Sequence, residues 1–131
     1  MMGGIEELVS KGSGRYKYVL FNMGSGFSLA MVRQFDDGRF SETHEDIVLG
    51  FLRGREIETT AFQLSINPIN SGIRGGGILV WDQEKMAVTF YGGCQYGTPL
   101  KGEIDSLMAE TYITYELVHP VDKEQRVPYA R

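Results

Sequence analysis

The sequence predicts an α+β fold: a single small domain in which a mixed β-sheet of about six strands is flanked by two helices. Three observations lead there. Segments rich in aromatic and β-branched residues outnumber helical ones and follow no regular strand–helix alternation. Only two stretches place apolar residues at three- and four-residue spacings. A chain of 131 residues is long enough for one real core and too short for two ordinary ones. No period of roughly 20 to roughly 50 residues recurs in it.

Residues 1–14 end in Lys11-Gly12-Ser13-Gly14, a flexible composition read as a loosely held lead-in, so the domain is expected over 15–131. Residues 16–21 (Tyr-Lys-Tyr-Val-Leu-Phe) and 27–35 suit a strand pair across the turn-like Gly24-Ser25-Gly26. Asp36-Asp37-Gly38 closes the second strand. From Glu42 to Arg53, Ile47, Val48, Phe51 and Leu52 form a helical stripe, with Ser41 or Thr43 as N-cap and acidic Glu42, Glu45 and Asp46 in the first turn. Residues 57–66 have β-type composition, and 78–81 and 86–91 form a hairpin around Asp82-Gln83-Glu84-Lys85. Leu100, Ile104, Leu107 and Met108 mark the second helix, with Thr98 as N-cap and Pro99 in its first position. Residues 112–118 make a last strand, and 119–131 read as a charged surface tail with two prolines.

Composition excludes several classes of function. The chain is 42% hydrophobic and 23% charged. No stretch approaches the roughly 20 apolar residues of a membrane span, and the start lacks secretory-signal character. One cysteine, Cys94, fits a reducing compartment, so a cytoplasmic protein is expected, with nuclear access left open. A net charge of −4 speaks against neutralising a nucleic-acid backbone and favours local recognition of a small phosphorylated group. No His, Cys and carboxylate cluster has metal-ligand spacing, so neither a metal nor another cofactor is expected.

The chemistry concentrates on His44. A histidine on an apolar helix stripe is ordinarily a satisfied, partly buried residue. At a helix start, however, the dipole biases it toward the neutral, proton-accepting form, and ligand can reach it. The segment 92–98, Gly-Gly-Cys-Gln-Tyr-Gly-Thr, joins a strand to a helix and suits either an anion cradle or tight turns. Thr98-Pro99 stands where a P-loop needs Lys and Ser/Thr, which argues against that kind of nucleotide hydrolysis. Cys94 lacks the arginine a cysteine-phosphatase loop carries about six residues on; Leu100 stands there. Gly75-Gly76-Gly77 reads as a bulge or a close backbone approach within a strand.

The segments at 16–20, 32–33, 43–47, 75–77 and 91–97 together, in their order and spacing, resemble the protein histidine phosphatase (janus/ocnus) family over residues 16–118. The resemblance implies a small α+β domain and metal-independent removal of phosphate from phosphohistidine. It gives His44 the role of general base or nucleophile, and Lys17 and Arg33 that of phosphate ligands. The loop Gly93, Cys94, Gln95 and Tyr96 becomes the phosphate cradle, with Cys94 where the family has serine. A short insertion around Asp36-Asp37-Gly38 separates Arg33 from His44. Ile78 stands where the family has an arginine after its triple glycine, and Arg74 is the candidate to compensate. The expected partner is a phosphohistidine-containing protein or a small phosphoramidate, bound by a monomer; the alternative is a catalytically impaired member that binds a phosphorylated or acidic partner.

Overall fold

The computed structural model describes residues 5–22, 24, 26–54, 72–109 and 111–118. Its elements are α1 (Glu7–Lys11), β1 (Gly14–Asn22), β2 (Phe27–Arg33), α2 (His44–Gly54), β3 (Ile73–Asp82), β4 (Ala87–Tyr91), α3 (Lys101–Met108) and β5 (Thr114–Leu117). Among the described residues five strands form one mixed sheet in the order β2-β1-β3-β4-β5, antiparallel except for the parallel pair β4 and β5, which α3 connects. The α+β architecture is as the sequence predicts. The further strand expected over 57–66 and the tail over 119–131 lie outside the described residues. No helix among the described residues is long and apolar enough to cross a membrane.

Alternation along β1 builds two cores, because successive side chains leave a strand on opposite faces. Tyr16, Tyr18 and Leu20 point to one face, where they pack with Leu79, Trp81 and Phe90 under α3, which contributes Ile104 and Met108. Val19 and Phe21 point to the other and meet Ile47, Val48, Phe51 and Leu52 of α2. The rings of Phe21 and Phe51 stack with centroids 3.8 Å apart. The stripe read from the sequence is thus the buried face of α2.

The N-terminal lead-in requires correction. Ile5 and Leu8 are fully buried in the first core, and residues 7–11 are helical. Arg33 holds this segment: its guanidinium donates to Lys11 O at 2.5 Å and Ser13 O at 2.6 Å, while the Tyr16 hydroxyl donates to Gly12 O at 2.7 Å. The Gly12-Ser13-Gly14 composition marks the turn after α1 and not looseness of what precedes it. A second correction concerns α3, which begins later than Thr98 and Pro99 suggest. Leu100 is its N-cap, and the Glu103 carboxylate accepts the Leu100 N–H at 2.9 Å.

The expected hairpin is present, extended backwards through the triple glycine. Asp82 Oδ1 accepts the N–H groups of Glu84 and Lys85, and Met86 takes a left-handed φ of 50° to complete the turn. Of the two expectations for Gly75-Gly76-Gly77, the close backbone approach holds: a Cβ on Gly76 would lie 3.3 Å from the Cys94 sulfur and against Tyr18 O. The glycines themselves stay in register with β1, and the β1–β3 register slips just before them, at Arg74, between the partners of Leu20 and Phe21.

Candidate functional site

His44 opens α2 behind a reciprocal cap. Thr43 Oγ1 accepts the Asp46 N–H and Asp46 Oδ2 accepts the Thr43 N–H, both at 3.1 Å, which satisfies two amides at the helix start. Of the two expected caps, Thr43 is therefore the one used. Thr43→Ala should cost about 1 kcal/mol of stability, read as a lower urea midpoint at unchanged slope.

The cap sets the imidazole over β3. His44 Nε2 lies 3.0 Å from Gly77 O, and a carbonyl oxygen can only accept, so Nε2 carries the proton. In the neutral ring Nδ1 then holds the free lone pair. His44 is half-buried, and its pKa is held below the ordinary value of 6.5. Burial is the main cause and the nearby Lys17 charge adds to it, while the bond to Gly77 O acts in the opposite direction. At neutral pH the imidazole is a base and not a cation.

Lys17 stands on the same face of the sheet. Its ammonium donates to Glu42 O at 3.0 Å and lies 4.7 Å from the centroid of the Phe40 ring, so it steadies the segment leading into α2. Its charge acts on both His44 and Cys94, which places the base, the cation and the glycine-rich loop in one neighbourhood. Phe40 and the carbonyls of Glu42 and Gly77 escaped the sequence reading. Phe40 carries no motif, and a backbone acceptor leaves no residue-type signature.

The loop after β4 folds back onto β3. Gly97 N–H donates to Cys94 O at 2.8 Å, and Gly76 N–H donates to Gly97 O at 3.1 Å. Gly75 has a φ of 113°, and a Cβ on it would lie 2.8 Å from Gly97 O. This approach therefore requires glycine. Cys94 and Gly97 pair as an isolated antiparallel bridge, which commits the Cys94 amide; among the described residues the amides of Gly93 and Gln95 meet no backbone acceptor, the condition for holding an anion. The Tyr96 amide, by contrast, faces the Cys94 sulfur.

Three expected ligands are placed differently from the expectation. Cys94 is buried, 3% exposed, and its thiol turns into the second core, where burial pushes its pKa up to about 11. It is neither a nucleophile nor a replacement for a serine hydroxyl at neutral pH. Arg33 is paired in register with Tyr16, one residue out of step with Lys17, and therefore lies on the opposite face of the sheet. Arg74 forms an ion pair with Glu103 of α3 at 3.7 Å. Asp36-Asp37-Gly38 is the tip of a small hairpin closed by the Gln34–Phe40 bridge, and Asp37 binds Arg39. Arg33→Ala should leave phosphate-induced shifts at residues 93–95 unchanged and speed amide exchange over residues 7–13.

The Tyr96 side chain is equally buried, and among the described residues its hydroxyl makes no well-formed hydrogen bond. Burial and the neighbouring Glu45 charge raise its pKa. Among the described residues no group of three or more His, Cys, Asp and Glu side chains is placed to hold a metal ion. Neither a scan against protein-family models nor a search of curated proteins finds a match to this chain.

Proposed function

We propose that the protein is a metal-independent phosphohistidine phosphatase, or more broadly a phosphoramidate phosphatase, working at His44. The observation that carries the reading is the His44–Gly77 contact: it fixes the proton on Nε2 and leaves Nδ1 as a base beside a lysine and a loop in which the amides of Gly93 and Gln95 meet no backbone acceptor among the described residues. The resemblance of residues 16–118 to the phosphatase family adds support.

In this mechanism Lys17 and the amides of Gly93 and Gln95 hold the phosphoryl oxygens. Nδ1 of His44 takes a proton from a water whose oxygen attacks phosphorus in line. The P–N bond breaks with its electron pair on the departing imidazole nitrogen, which takes up the proton that His44 removed from water, so that His44 returns to its neutral form. A loose transition state asks mainly for position and charge stabilisation, so few groups suffice. In the nucleophilic variant, Nδ1 itself attacks phosphorus and water later cleaves the enzyme's own phosphohistidine. Single-turnover reaction in oxygen-18 water, with trapping of labelled protein, separates the two.

A second reading has a specific basis. With Arg33 on the far face, Arg74 paired with Glu103, and Ile78 neutral, the described site offers Lys17 as its cation, which suits binding better than turnover. Hydrolysis of phosphohistidine in EDTA decides between them. The phosphatase reading expects release above the spontaneous rate. Absence of release, with phosphate still perturbing the amides of 93–95, favours the binder.

A further inference from the structure

The sheet face that carries Lys17 continues past the site as a ledge. Burial alternates along β3 and β4: Leu79, Trp81, Val88 and Phe90 are buried on the α3 side, while Ile78, Val80, Thr89 and Tyr91 on the α2 side keep partial exposure. The register makes Lys17, Ile78 and Tyr91 one cross-strand row and Arg15, Val80 and Thr89 the next, which ends on the exposed Glu116 of β5. Arg15 is exposed, and its guanidinium carbon lies 5.8 Å from the Tyr91 ring centroid. That contact joins the rows into one cationic and apolar strip. Its cations, Arg15 and Lys17, both lie on β1 and its acidic Glu116 on the opposite edge strand, so on a protein of net charge −4 the β1 side of the strip is complementary to an acidic partner.

We infer that this ledge receives an extended acidic peptide segment of the substrate, so that the substrate is a protein and not a free small phosphoramidate. The inference rests on the phosphoryl site proposed above. Rows two residues apart on a strand lie roughly 6.6 Å from one another, and side chains two positions apart on an extended peptide have that same spacing. With the phosphoryl group at Lys17, an Asp or Glu two positions away comes to Arg15, and the apolar body of the segment rests on Val80 and Tyr91.

The test is a titration of the full-length, nitrogen-15-labelled protein with four probes: inorganic phosphate, a peptide bearing a stable phosphohistidine analogue with Asp at both flanking second positions, the same peptide with Lys there, and the unphosphorylated Asp peptide. The expected result is shifts at Val80, Thr89 and Tyr91 with the Asp peptide, an affinity for it above that for the Lys peptide, and a loss of about 3- to 10-fold for the Asp peptide alone in Arg15→Glu. Equal affinity for the two peptides, or an Arg15→Glu variant that does not change their ratio, overturns the ledge and leaves the phosphoryl site standing. Docking of the unphosphorylated Asp peptide on the ledge, with phosphate leaving residues 93–95 unmoved, keeps the ledge and overturns the phosphoryl reading. Ledge shifts that follow protein concentration alone assign the face to a second copy of the chain and overturn the proposal.

Discussion

His44→Ala should lower the rate of phosphohistidine hydrolysis in EDTA by about 10²- to 10⁴-fold, the range that removal of a positioned base covers. Binding of phosphate should survive, since Lys17 and the amides of Gly93 and Gln95 are untouched. His44→Gln is the stricter variant, because its amide nitrogen stands where Nε2 stood and can still donate to Gly77 O, yet it offers no titratable nitrogen. If Gln restores the α2 start but not the rate, the lost function is proton transfer or attack by Nδ1 and not the packing of the helix. Equal rates for wild type and His44→Ala would remove His44 from the mechanism. One contact underlies this expectation, since the Gly77 carbonyl determines which ring nitrogen is free.

Gly76→Val should be the most destabilising single change in the sheet, by about 3 kcal/mol or more, with loss of the folded protein as the extreme outcome. A side chain at Gly76 would run against Tyr18 O and approach the Cys94 sulfur, where the 93–97 loop lies on β3. Backbone cannot step aside as a flexible side chain can. Gly102→Ala is the matched control: it lies in α3 with open space where a Cβ would be. That variant should gain about 0.5–1 kcal/mol. Urea unfolding of the two variants checks both. Comparable stability for Gly76→Val and wild type would show that the loop does not rest on β3.

What the sequence made legible is what local pattern encodes. The α2 stripe, its Thr43 cap and the β3–β4 hairpin announce themselves in neighbouring residues, and so does the close approach at the triple glycine. Arg33 shows where this fails. Its segment is a strand as expected, but which face an arginine occupies depends on register with Tyr16, and a shift of one residue carries it across the sheet. Arg74 likewise finds its partner, Glu103, only through tertiary folding. The burial of α1 was hidden because Gly12 to Gly14 read as flexible, whereas Arg33 of β2 ties down the carbonyls of Lys11 and Ser13. His44 was visible as a candidate, but its orienting acceptor is a backbone carbonyl on a distant strand.

The lowered pKa of His44 joins function to stability. Folding disfavours the charged ring, so the unfolded chain binds more protons in the window between the lowered value and the ordinary 6.5. The stability contributed by neutral His44 is full above 6.5 and is lost as the pH falls through the lowered folded value. Activity that depends on the same lone pair must fall in the same direction. The most direct measurement is therefore the pH dependence of kcat/KM for phosphohistidine in EDTA, corrected for spontaneous hydrolysis. A catalytic His44 gives an acid limb with its midpoint below 6.5 that disappears with the residual rate of His44→Ala. A wild type no faster than the spontaneous reaction, or an acid limb that His44→Ala retains, would contradict it.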